Sequence, residues 1–255
     1  MREPKSVIEE ARLDANLKIY KGGGCNSAVL TSSDGKKVLI VDTKYFKGAR
    51  ELRKAVTAAE ITIVNTHFHM DHARGNRLYP DAYVVSGLLP RNARWQWYFD
   101  TGFSRRPDKL LGPGEQITFG IDDEKIHVFS VGRAHSLNDS VVFFERRRLL
   151  MAGDLVWENA HPVLIGSSIT AWRSALKTLE IRYPVGALVP GHGIISDMKA
   201  ITGMEAYFDS IAAAVGNRDR IDDLRRQYAR YSAFPLFSGV DAVVRLIERE
   251  AARNR

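Results

Sequence analysis

The chain has 255 residues, 45% of them hydrophobic and 26% charged, with a formal net charge of +7. This length can bury a substantial core, and the composition is that of a globular protein in water. No apolar run approaches the ~20 residues needed to span a bilayer, so no membrane partner is expected. The basic residues are scattered rather than gathered into one stripe, which favours a solvated surface over a nucleic-acid footprint.

Cys25 is the only cysteine, so no intrachain disulfide and no thiolate-rich zinc site can form. Its setting, GGGCNSAV, reads as a turn entering a strand with a buried structural thiol. A reducing compartment fits this usage. The N-terminal MREPKSVIEEARLDANLKIY carries acidic residues and lacks a signal-peptide apolar core, so a cytoplasmic location is expected.

Residues 17–20, 28–31 and 38–41 are β-type runs, with Ser33-Asp34-Gly35 turning between the last two. Residues 48–59 have apolar side chains at helical spacing, and 61–64 form a short buried strand. The alternation continues through a strand at 82–86. A second β-rich group follows at 117–119, 126–131, 141–144 and 149–151, then a helix at 171–179 and a strand at 187–189. From Met198 the chain is helical: Ile201, Met204, Phe208, Ile211 and Val215 mark one apolar stripe, and Val240, Val243, Val244 and Ile247 another. The expected architecture is α/β with helices outside two β-rich halves, as a single domain. Its core covers about 17–197, with a helical extension over about 198–255. That extension could cover a pocket, pair two subunits as a homodimer or complete the core.

The densest chemistry is HFHMDH at residues 67–72, directly after the run at 61–64. In an extended segment, residues two apart point the same way, so His67 and His69 can grip one ion. Asp71 and His72, as the chain curls, can face a second. A helical site would need i,i+4 spacing, so this cluster belongs on a loop. One loop cannot complete two coordination spheres. Further ligands stand at similar places: His135 in GRAHSLND, Asp154 in MAGD and His192 in VPGHG. Each lies past the C-terminal end of an apolar run, where α/β proteins place their sites. Five of the seven histidines are thereby used. His127, inside a strand pattern, is read as structural.

This ordered set resembles the ligand set of the metallo-β-lactamase superfamily, from about residue 28 to 196. The resemblance implies a four-layer αβ/βα sandwich with metals at one edge. It implies that His67, His69 and His135 hold one metal, that Asp71, His72 and His192 hold the other, and that Asp154 bridges them. Two zinc ions are the expected cofactor, with iron or manganese as alternatives. A shared hydroxide would attack a carbonyl ester, thioester, lactone or amide of a small-molecule substrate. Asp71 would be catalytic, both ligating and orienting the nucleophile. Asp42, which ends the strand 38–41, and Asp139 are candidate acceptors for imidazole N–H groups behind the ligands, with a turn or capping role as the other reading of each.

Departures narrow the branch. Asp154 stands where one class of β-lactamases uses cysteine, and the nitrogen-and-oxygen ligand set is similar to that of glyoxalase II-type thioesterases and lactonases. The segment after His135 reads SLND rather than TPGD. A mononuclear-iron persulfide dioxygenase, a phosphodiesterase or ribonuclease, and a non-catalytic metal-binding module are the alternatives. Trp157, Asn159 and His161 follow Asp154 closely enough to line a substrate pocket. Trp95, Trp97, Tyr98 and Phe99, flanked by Arg91, Arg94, Arg105 and Arg106, read as a core helix or a flap. Arg74 and Arg133 could meet an anionic substrate or solvent.

Overall fold

The computed structural model describes residues 6–89, 105–233 and 238–253; the aromatic segment at 95–99 lies outside them. Two sheets carry the fold. The first holds β1 (Glu9–Arg12), β2 (Leu17–Lys21), β3 (Ser27–Thr31), β4 (Lys37–Val41), β5 (Glu60–Val64), β6 (Tyr83–Gly87) and β7 (Lys109–Leu111), hydrogen-bonded in that order. The second holds β8 (Gln116–Ile121), β9 (Glu124–Gly132), β10 (Asp139–Phe144), β11 (Leu149–Trp157) and β12 (Ala187–His192), in the order β12-β11-β10-β9-β8. Helices α1 (Phe46–Lys54), α2 (Met70–Ala73), α3 (Ile169–Arg182), α4 (Lys199–Ala214), α5 (Arg218–Gln227) and α6 (Val240–Arg253), with a 3-10 helix at Arg74–Leu78, complete the described elements.

Period-two patterning explains the layering. Val29, Val38, Ile40, Ile63 and Val84 face outward from the first sheet and pack with Leu52 of α1. Their neighbours Leu30, Leu39, Val41, Val64 and Val85 face inward and meet Val128, Val142, Phe144 and Met151 of the second sheet. The alternate residues of that sheet, Phe129, Val141, Phe143 and Leu150, pack with Trp172 and Leu176 of α3, Phe208 of α4 and Val243 of α6. Helix, sheet, sheet, helix is therefore the stacking order, the αβ/βα sandwich expected from the resemblance. The C-terminal helices are part of the third core cluster and complete the core. No helix of the described residues is long and apolar enough to cross a membrane.

Strand polarity explains the site. The pairs β4–β5, β5–β6 and β11–β12 are parallel, whereas β10 is antiparallel to both β9 and β11. The C-terminal ends of β9, β11 and β12 thus reach one edge of the second sheet, as those of β4 and β5 do in the first. The two edges are clamped together. Ser140 N–H donates to Thr66 C=O at 2.7 Å, and Asn26 N–H to Gly191 C=O at 2.7 Å.

Several elements differ from the sequence expectation. β1, with the sequence EEAR, and β7, with KLL, carry no alternation to read; they pair as edge strands. Helix α1 stops at Lys54 instead of running to residue 59, because Ala55 N–H closes onto the carbonyls of Leu52 and Arg53. The HFHMDH segment is a loop only up to His69, and Asp71 and His72 lie on the single helical turn α2. α5 buries only Leu224 and so shows no apolar stripe. His127 is structural, pairing across strands with Glu145 at 2.7 Å.

Candidate metal centre

All seven residues read as ligands converge at this shared edge. Asp154, only 3% exposed, lies at the centre of the cluster. Its Oδ2 is 3.3 Å from His135 Nε2 and 3.8 Å from His67 Nε2, and His135 Nε2 is 3.1 Å from His69 Nδ1. Its Oδ1 is 3.1 Å from His72 Nε2 and 3.4 Å from His192 Nε2. Asp71 Oδ2 completes this second group, 3.0 Å from His192 Nε2 and 3.7 Å from His72 Nε2. Each carboxylate oxygen of Asp154 therefore faces its own trio of side chains.

These residues fit metal ions better than they fit one another. Ligands about 2.0–2.1 Å from a tetrahedral zinc stand roughly 3.3 Å apart, and the separations here bracket that value. His67 Nε2, His72 Nε2, His135 Nδ1 and Asp154 Oδ1 are buried and make no hydrogen bond of sound geometry. Orphaned buried polar atoms are costly, and Asp154 Oδ1 with the imidazole nitrogens of His67 and His72 turned toward the same carboxylate calls for a cation. His67, His69, His135 and Asp154 form one group able to hold an ion, and Asp71, His72 and His192 another.

Electrostatics agree with this. Burial opposes ionisation of Asp154, but the imidazoles of His192, His72 and His135 outweigh it and hold the carboxyl at about 2. Asp71 is likewise held well below the usual carboxylate range, burial being overcome by His72 and His192. Burial drives His135 down to about 3 and His67 far down, helped for His67 by the imidazoles around it, so both present neutral rings with free lone pairs. His72 is the exception. Burial opposes its charge, but Cys25, Asp154, Asp42 and Asp71 together raise its pKa well above the ordinary value, marking a place that attracts positive charge.

The imidazoles are aimed by hydrogen bonds on their far nitrogens. His72 Nδ1 donates to Asp42 Oδ2 at 2.7 Å, as expected for Asp42. The same carboxylate accepts the Thr66 hydroxyl (2.7 Å) and the Thr66 N–H (2.8 Å). Thr66 Oγ1 stands 3.2 Å from His67 Nδ1. His69 Nε2 lies 3.3 Å from the Ile165 carbonyl. The indole of Trp157 stacks on His192, with ring centroids 4.5 Å apart and planes at 24°.

Asp139 takes the capping role rather than that of an imidazole acceptor. It accepts Ser136 N–H at 2.8 Å and caps the turn that carries His135, while its other oxygen takes no hydrogen bond. Burial pushes this carboxyl up to about 7, against the Ser136 hydrogen bonds. His161 departs from the pocket-lining expectation. Asn159 adopts a left-handed conformation (φ 55°) and turns the chain away, so His161 is buried beside Tyr207, Tyr228 and Tyr231, with Nδ1 2.7 Å from the Tyr207 hydroxyl. Asn159 is exposed and accepts Ser232 N–H. Arg133 spends its guanidinium on the Gly166 and Ser167 carbonyls, and Arg74 lies over the Phe46 ring.

Sequence reading missed a polar plinth beneath α2. Thr43 Oγ1 donates to Asn76 Oδ1 at 2.7 Å, Asn76 Nδ2 to Asn65 Oδ1 at 2.7 Å, and Asn65 Nδ2 to the His72 carbonyl at 3.1 Å. Lys44 is fully buried, and its ammonium donates to the carbonyls of Tyr20, Gly22 and Cys25. Asp42, Lys44 and Phe46 all have positive φ (59°, 61° and 45°), which costs about 1–3 kcal/mol each in a non-glycine residue. Three such residues in five are a sign of function that only coordinates reveal. Asn26 was missed too: its Nδ2 donates to the Pro190 and Gly193 carbonyls on either side of His192.

Two glycines are required by close approach. A Cβ on Gly191 would lie 1.9 Å from Asp154 Oδ1, and one on Gly153 (φ +53°) would lie 2.6 Å from the Thr66 side chain.

Residues 20–192 match the metallo-beta-lactamase superfamily, and the chain belongs to it. Among solved structures it is similar to the metallo-beta-lactamase from Pontibacter korlensis, with 19% identity and a TM-score of 0.65 over 78% of this chain and 97% of that one. VMB-1 gives 19% identity and a TM-score of 0.64 over 80% and 97%. The DIM-1 metallo-beta-lactamase gives 19% and 0.63 over 78% and 95%. At these identities the likeness is one of fold. No curated protein matches the chain.

Proposed function

We propose that this protein is a binuclear zinc-dependent hydrolase of carbonyl esters, thioesters, lactones or amides. The observation that carries the reading is the division of labour at Asp154, whose two oxygens address two separate ligand trios. His67, His69 and His135 would hold one zinc, and Asp71, His72 and His192 the other, with Asp154 shared. Bound zinc supplies water ionised near pH ~7 and a Lewis acid for the substrate oxygen. The chain's own contribution is orientation. Asp42 and Thr66 fix the tautomers of His72 and His67, and Trp157 holds the plane of His192. Asp71, on the turn α2, is placed both to ligate and to accept a proton from the nucleophile, as general base. The single cysteine supports a cytoplasmic location.

The test is a panel of esters, thioesters, lactones and amides offered to the zinc-loaded protein and to Asp71→Ala. The expected result is turnover of at least one carbonyl class, lost by about three orders of magnitude in the variant with the fold intact. Bound iron without zinc, with oxygen consumed on persulfides, would replace the reading by a dioxygenase. Cleavage of bis-p-nitrophenyl phosphate alone would replace it by a phosphodiesterase.

A further inference from the structure

Beside the metal centre is a cavity that none of the site residues described above requires. It measures about 190 Å³ and lies between the segment after β11 and helix α4, lined by Trp157, Met204, Tyr207 and Tyr231 together with the polar Glu158, Asn159 and Lys199. The indole of Trp157 is the shared wall. It lines the cavity, stacks on His192 at 4.5 Å and has its ring 6.2 Å from that of His135. The Tyr207 hydroxyl is taken up by His161 Nδ1, so Tyr207 is braced from behind while lining the cavity.

Helix α4 carries a second, independent sign. Gly203 occupies the helix interior, where glycine weakens a helix relative to alanine. Packing does not demand it, because a Cβ built there would meet no atom within 4 Å. Gly203 lines the cavity at an exposed position, so a larger side chain there can project over its mouth.

The geometry points to this cavity as a subsite for an aryl group of the substrate, the part remote from the bond being broken. The volume suits one ring with a small substituent, since an apolar cavity of about 150 Å³ holds benzene. Indole, phenol rings and a methionine sulfur are surfaces on which an aromatic ring packs well. Asn159 and Lys199 offer hydrogen bonds to one polar substituent. This subsite deepens the hydrolase reading and narrows the substrate to aryl-bearing carbonyl compounds.

The test separates binding from turnover. 4-Fluorobenzyl alcohol is titrated into the protein as purified and followed by fluorine NMR, for wild type, Gly203→Ala and Gly203→Leu. Wild type binds the probe, and Gly203→Leu, whose side chain projects over the cavity mouth, weakens binding by about tenfold or more, with Gly203→Ala between them. Absence of binding to wild type, or equal binding by Gly203→Leu, overturns the subsite. Should Gly203→Leu fail to fold, wild type still decides. The Trp157 indole N–H resonance must move as the probe is added, and an unmoved resonance overturns the proposal. In the zinc-loaded enzyme, the ratio of kcat/KM for a phenylacetyl ester over the acetyl ester of the same alcohol falls about tenfold in Gly203→Leu. An unchanged ratio counts against the subsite. Wild type without turnover of any ester, thioester, lactone or amide defeats the hydrolase reading, while the binding experiment still judges the cavity.

Discussion

The two halves of the ligand cluster share one carboxylate but are braced very differently. On the Asp71, His72 and His192 side, His72 rests on Asp42, and the turn that bears it is tied to Thr43, Asn65 and Asn76. His192 is stacked on Trp157 and its loop is clamped by Asn26. On the other side, His67 has the Thr66 hydroxyl at 3.2 Å, His69 has one carbonyl contact at 3.3 Å, Asp139 caps the turn of His135, and His135 Nδ1 is buried without a partner. Ligand identity alone would make the halves equal. The hydrogen bonds behind the ligands therefore brace the first half more densely than the second.

Changes at the shared centre should erase this contrast, and changes behind one half should exaggerate it. The largest effect is expected from Gly191→Ala, whose methyl would stand 1.9 Å from Asp154 Oδ1. Asp154 must swing away, so both halves lose their common oxygen. Zinc retained after gel filtration should fall at both positions together, while far-UV circular dichroism stays native. Loss confined to one position would contradict the bridging arrangement. Asp42→Ala removes the direct support of His72 and only the indirect support, through Thr66, of His67, and should weaken zinc most at the His72 half, by about 10–100-fold, the usual cost of losing such a support. Competition with a chromophoric chelator reads the two affinities separately. Equal weakening of both would mean that the plinth serves the whole edge rather than one imidazole.

Much of this centre was legible from residue types. His67, His69, Asp71, His72, His135, Asp154 and His192 stand out because few other roles place imidazoles and carboxylates at successive strand ends. Asp42 was legible for the same positional reason. Thr43, Asn65, Asn76 and Asn26 were not, since ordinary polar residues gain their meaning only from the partner they meet across the fold. For Asp139 the residue type leaves two readings, and the three-residue turn bond to Ser136 decides for the cap over a longer reach to an imidazole. His161, readable as a pocket wall or a satisfied loop histidine, is the latter because the left-handed Asn159 redirects the chain two residues earlier. In the fold, the buried alternation of the central strands was readable, whereas edge strands β1 and β7 and the polar helix α5 bury too little to leave a pattern.

The central claim is that seven side chains make two adjoining cation sites around Asp154. Zinc titration of the chelator-stripped protein, read by calorimetry beside Asp154→Ala, tests it most directly. Two equivalents bound by wild type, with both affinities reduced in Asp154→Ala, is the predicted result. A wild type that binds a single equivalent, or an Asp154→Ala protein that binds two as tightly as before, would contradict it.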